Sequence, residues 1–112
     1  MRLDELDRGR ALFLDDERHP PSDGYRWIVV RNFDQAKRFV EEHGMPSHAS
    51  FDHDLGDGPS GYDFIKWLVE FDMENSNLAI PIDFTFRVHS QNPIGAANIK
   101  CYLSNYLELR HV

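Results

Sequence analysis

Leu12-Phe13-Leu14 is apolar on three consecutive positions and then gives way to Asp15-Asp16-Glu17. A strand apolar on consecutive positions faces protein on both sides, so Ala11–Glu17 reads as a buried strand that ends in acid. The next stretch, RHPPSDG, holds two prolines and a glycine and reads as a loop with no room for a helix. Arg26–Phe33 is β-branched and aromatic and predicts a second strand. Asp34–Gly44 carries a helical pattern: Asp34 is placed to cap it, Ala36, Phe39, Val40 and His43 fall on one stripe, and Gly44 suits the position just past the end. His48–Leu55 reads as a short third strand broken by DGPSG. Ser60 then pairs with Asp63 in a capping-box pattern that opens a helix, with Phe64, Leu68 and Phe71 as its ridge and Ile65, Trp67 and Val69 thickening it. Ile82–Ser90 predicts a fourth strand, and Asn92-Pro93 opens a last helix running to about Leu109.

Strands that alternate with helices predict a parallel sheet with helices on both faces. In such sheets ligands bind beyond the carboxyl ends of the strands. Three polar clusters fall there: Asp15-Asp16-Glu17 after the first strand, Asp52-His53-Asp54 after the third, and His89-Ser90-Gln91-Asn92 after the fourth.

Length and charge narrow the possibilities. The 112 residues amount to one domain, with residues 1–10 read as a loose leading segment. A net charge of −7 argues against broad capture of nucleic acid, which relies on basic patches, but leaves room for one nucleotide or one RNA end at a local site. The single cysteine, Cys101, rules out an internal disulfide and fits a reducing compartment; its place in a helix reads as core. The charged start RLDELDRGR lacks the apolar stretch of a signal peptide, and no apolar run approaches the ~18 residues of a membrane span. A cytoplasmic protein is the expectation.

Carboxylates from neighbouring strand ends make a hard oxygen site, and Asp15, Asp16 and Asp52 are the expected ligands of Mg²⁺ or Mn²⁺. The structural alternative is that Asp16 and Asp54 shape loops or pair with Arg18 and Arg31. A calcium loop over DHDLGDGPSGYD is disfavoured, because Gly56 and Asp57 stand in the wrong order for that motif. His53 and His89 are candidates for proton transfer, since imidazole titrates near neutrality, and for each taken alone the satisfied partner of a neighbouring carboxylate is the plainer reading. Ser90 and Asn92 stand at a helix N-terminus, where free N–H groups favour a phosphate; the structural alternative is plain capping, which can hold alongside phosphate binding.

LFLDDE and FDHDLGDGPSGYDFIKWL resemble the first and third strands of a response-regulator receiver domain, with Asp52 in the place of its phospho-acceptor. VHS resembles the fourth receiver strand. No segment resembles the fifth strand and its lysine, so phosphorelay is not expected. LFLDDERHPP, FDHDLGDG, GYDFIKWLVE and VHSQNPIGAANI, taken together and in order, resemble more closely the cyclic-phosphate processing receiver family of phages and bacteria. The resemblance implies a truncated doubly wound, flavodoxin-like sheet of about four strands in the order 2-1-3-4. It also implies metal-dependent processing of a cyclic phosphate on an RNA end or nucleotide, a step of RNA repair. Asp52, His53 and His89 would then be catalytic, Ser90 and Asn92 would hold phosphate, and Asp15, Asp16 and Asp52 would hold the metal. The other reading is a phospho-acceptor or protein-binding module that does not turn over.

Overall fold

A computed structural model describes residues 7–110. Its elements run β1 (Arg10–Leu14), β2 (Arg26–Val30), α1 (Phe33–His43), β3 (His48–Phe51), α2 (Gly61–Glu74), β4 (Thr85–Val88) and α3 (Pro93–Arg110). The four strands form one parallel sheet in the order β2-β1-β3-β4, as the resemblance implies. No helix among the described residues is long and apolar enough to cross a membrane. Residues 1–6 of the expected loose segment lie outside the described residues. Further along, the Arg8 amide donates to Gly24 O, the Arg26 amide donates to Gly9 O, and Arg10 opens β1.

The placement of the helices differs from the expected two-faced arrangement. The steps from β2 to β3 and from β3 to β4 both move the same way along the sheet. Right-handed crossovers therefore put α1 and α2 on the same face, and α3 packs beside α2. The one step in the other direction, β1 to β2, is made by the proline loop, which carries no helix. Side chains that alternate across the strands sort accordingly. Leu12, Leu14, Val30, Ala49 and Phe51 point into one core with Ala36 and Val40 of α1, Phe64 and Leu68 of α2, and Ile99 and Leu103 of α3. The opposite face presents two in-register rows, Trp27–Ala11–His48–Thr85 and Val29–Phe13–Ser50–Arg87, and among the described residues no helix covers it.

Several boundaries shift for local reasons. β2 stops at Val30, because Asn32 rather than Asp34 caps α1: its extended backbone lets the side chain accept the Gln35 amide at 2.9 Å. β4 begins at Thr85, since the Phe84 amide turns back to Pro81 O at 3.1 Å and leaves Ile82 exposed. Cys101 is exposed, because α3 buries the stripe of Gly95, Ile99 and Leu103. The Ser60–Asp63 capping box is present as expected, with the Asp63 amide donating to Ser60 Oγ at 3.2 Å and the Ser60 amide to Asp63 Oδ2 at 2.8 Å.

Asp72 ties α3 to the rest. It is fully buried, and it accepts the Ile80 amide at 2.8 Å, the Tyr106 hydroxyl at 2.6 Å and Arg110 Nη1 at 2.8 Å. Burial, and the Asp72 carboxylate to which it donates, push the Tyr106 phenol up to about 12. Removing one partner of a buried pair strands the other charge. Asp72→Ala is therefore expected to lower unfolding free energy by about 3 kcal/mol, and Tyr106→Phe by about 1 kcal/mol. Urea denaturation checks both, and an Asp72→Ala loss no larger than that of Tyr106→Phe would show that Asp72 does not hold the network.

Candidate functional site

The sheet's hydrogen-bond ladder continues one rung past three strands. The Asp15 amide donates to Val30 O at 3.2 Å, the Asp52 amide to Leu14 O at 2.9 Å and the His89 amide to Phe51 O at 3.0 Å. Each residue is thus the first beyond its strand, on backbone that the sheet still holds. Asp15, Asp52 and His89 each bring one ligand-type atom within 4.8 Å of the others.

Asp15 is fully buried. Its Oδ1 accepts the amides of Glu17 at 2.9 Å and Arg18 at 2.8 Å, while Oδ2 faces His89 Nε2 at 2.9 Å and Arg18 Nε at 3.9 Å. Burial pushes its pKa up, but the two amides and His89 outweigh burial and hold it below the ordinary range. An ionised carboxylate only accepts, so the neutral His89 ring carries its proton on Nε2. Nδ1 then accepts the Ser50 hydroxyl at 2.6 Å, and the ring lies flat on Phe13 with centroids 4.6 Å apart. Arg31 braces the loop from behind, with Nη1 donating to Asp15 O at 3.1 Å and Arg18 O at 2.6 Å.

Asp52 is buried with far less help. One amide, that of Asp54, reaches its Oδ1 at 3.4 Å. Burial and the Asp15 charge push its pKa above the ordinary range, and the Asp54 amide, His89 and the Ser90 hydroxyl offset this only in part. α2 begins pressed against it: a Cβ on Gly61 would stand 1.8 Å from Asp52 O, so only hydrogen fits.

The remaining expected residues take other places. Asp16 is exposed and stands outside the group of three, with its Oδ2 3.3 Å from where a Gly56 Cβ would lie. His53 Nδ1 donates to Asp54 Oδ1 at 2.9 Å, and its ring packs on α3, where a Gly95 Cβ would come within 2.4 Å of Cγ. Ser90 Oγ accepts the Asn92 amide at 3.1 Å and Asn92 Oδ1 the Gly95 amide at 2.9 Å, so both residues cap α3. His89 meets the Asp15 carboxylate directly at 2.9 Å and stands in one group with Asp52. Two residues not singled out from sequence belong to the site. Ser50 carried a signal, because His48, Ser50 and Asp52 alternate onto one face. Arg18 carried none as a site residue, since its approach to Asp15 depends on how the proline loop folds back. Two carboxylates and an imidazole at adjoining strand ends can take a divalent cation.

A profile of the family described as the cyclic-phosphate processing receiver domain matches residues 10–105, which span all four strands. Comparison with curated proteins and with solved structures gave no match.

The strained carboxylate has a thermodynamic signature. Asp52 binds its proton more tightly folded than unfolded. Its contribution to stability is therefore complete below the ordinary value of 3.8 and is lost as pH rises through the folded pKa. In chelator at pH 7, Asp52→Asn is expected to be more stable than the parent, with the difference closing as pH falls toward 3.8. Urea unfolding at a series of pH values reads this directly, and a variant less stable than the parent at pH 7 would overturn it.

Proposed function

This chain belongs to the cyclic-phosphate processing receiver family, and from that premise we propose that it opens a terminal cyclic phosphate on an RNA end or nucleotide with a bound divalent cation. The observation that supports this most is the convergence of Asp15, Asp52 and His89 at the carboxyl ends of three adjacent strands. The donor set suits Mg²⁺ or Mn²⁺. Carboxylate oxygens match the hard ion. The uncompensated charge between Asp52 and Asp15 is the kind a cation relieves. Asp15 and Asp52 would hold the ion, with the exposed Asp16 at the rim and His89 beside it. When bound, it supplies positive charge to the phosphate oxygens as negative charge builds there.

The chain's own groups supply the proton movements. Water attacks phosphorus, and Asp52 takes its proton. The bond to one ribose oxygen breaks, and His89, entering the step as imidazolium, gives that oxygen its Nε2 proton and is left neutral. Ser50 orients the ring through Nδ1. Ser90 and Asn92 set the N-terminus of α3 toward the phosphate. His53, occupied by Asp54 and Gly95, is given no step.

A nucleoside 2′,3′-cyclic phosphate tests the reading. Turnover is expected to need Mg²⁺ or Mn²⁺, to stop in chelator, and to fall at least ~100-fold in His89→Ala and in Asp52→Asn. Variants as active as the parent would end this assignment. Labelling of Asp52 by a small phosphodonor without turnover would instead favour the phospho-acceptor module.

A further inference from the structure

We infer that the helix-free face of the sheet is a platform for the base of the nucleotide whose phosphate is processed at Asp15, Asp52 and His89; this rests on the reading of that site given above. All-parallel sheets ordinarily have both faces covered. Here the second face is covered by flat side chains of its own. Tyr25 stacks on His48 at 4.5 Å, Phe13 meets Trp27 edge-on at 5.6 Å, and the Arg87 guanidinium lies over the Trp27 ring at 5.2 Å. The proline loop fixes this layer from one side. Trp27 Nε1 donates to Pro21 O and to Asp23 Oδ1, each at 3.0 Å, and Asp23 pairs with Arg87.

The chemistry of the layer points to one occupant. A face built to receive another protein's core would be aliphatic, and Val29 is its one exposed aliphatic residue. What it offers is indole, phenol and guanidinium, with the His48 imidazole buried beneath Tyr25. These are the groups on which bases stack, and stacking tolerates any base because each has a π-face. The Arg87 guanidinium, paired with Asp23, lies over Trp27, and Arg8 lies 5.9 Å from the Tyr25 ring, so a guanidinium borders each of the two rings. His48 adds a polar group: Nδ1 meets Thr85 Oγ1 at 2.8 Å, while Nε2 is buried without a partner among the described residues.

The platform also runs into the site. Asp15, Asp52 and His89 follow the two open-face rows on the same side of the sheet, and His89 stacks on Phe13, which touches Trp27. One ring separates the proposed phosphate position from the proposed base position, a reach suited to a single nucleotide.

Three ligands test this in the intact chain with Mn²⁺ or Mg²⁺: adenosine 2′,3′-cyclic phosphate, methyl riboside 2,3-cyclic phosphate without a base, and adenosine without a phosphate. Calorimetry supplies the affinities, and the indole N–H resonances, with Trp67→Phe to assign them, report on Trp27. The base-bearing cyclic phosphate is expected to bind about tenfold or more tighter than the base-free one. Adenosine alone should move the Trp27 resonance, and Trp27→Leu should remove the tenfold advantage. Arg87→Gln, an exposed position, should reduce it, and it keeps the test open if Trp27→Leu fails to fold. Equal affinity for the two cyclic phosphates, or a Trp27 resonance that adenosine leaves unmoved, overturns the platform whether or not turnover occurs. Base-dependent affinity without turnover supports the platform and overturns the enzymatic reading. Binding of none of the three overturns both. A Trp27 resonance that shifts on dilution without ligand identifies the face as a contact between copies and overturns the base assignment.

Discussion

Every helical crossover in this chain moves in one direction along the sheet, and the handedness of crossovers then decides where everything else lies. α1, α2 and α3 share one face and one core. The only reverse step, from β1 to β2, is left to a loop whose prolines exclude a helix. That loop packs on the other face through Trp27 and Arg87, and its first residues supply the two amides that hold Asp15. The missing helix is thus tied to the construction of the site, because the segment that replaces it both supports the buried carboxylate and borders the open face.

The two buried aspartates show how position within a ladder divides similar residues. Both stand one rung past a strand. Asp15 meets two amides of the turning loop and an imidazole, and its charge is stabilised below the ordinary range despite burial. Asp52 faces the close approach of α2 at Gly61 and the Asp15 charge, with one long amide contact in return. A pair pushed in opposite directions is the pattern that separates a permanent anion from a proton acceptor. Ser50, buried in the middle of β3, fixes which nitrogen of His89 faces that pair.

Much of this was legible in the sequence. Leu12–Leu14, Trp27–Val30 and Phe51 announce strands by their apolar runs, and the strand-end rule located three polar clusters before any contact was known. Asn32 and Asp34 are both good caps two positions apart, and only the point where β2 leaves the sheet chooses between them. Ile82-Asp83-Phe84 has the alternation of a strand, yet the Pro81 carbonyl closes a turn there. Apolar residues on several sides of α3 hide which stripe is buried, which is why Cys101 read as core. The one-faced layering followed from strand order and handedness together, but the missing first helix had to be carried through that rule. The grouping of His89 with Asp15 depends on contacts 74 residues apart, which no local pattern encodes.

An acidic protein that handles a phosphate faces a problem of sign. With a net charge of −7, long-range attraction works against the anion, so capture has to be local. On the proposed reading a cation between Asp15 and Asp52 would reverse the charge where the phosphate would sit, and Arg18 stands beside Asp15. The open face can contribute without relying on net charge, because stacking on Trp27 and Tyr25 depends on π-surface more than on ionic strength. Both contributions come from one side of one sheet, and the register of β1, β3 and β4 keeps them aligned. In this reading, selectivity for a base-bearing phosphate over free phosphate follows from the same constraint that left the face without a helix.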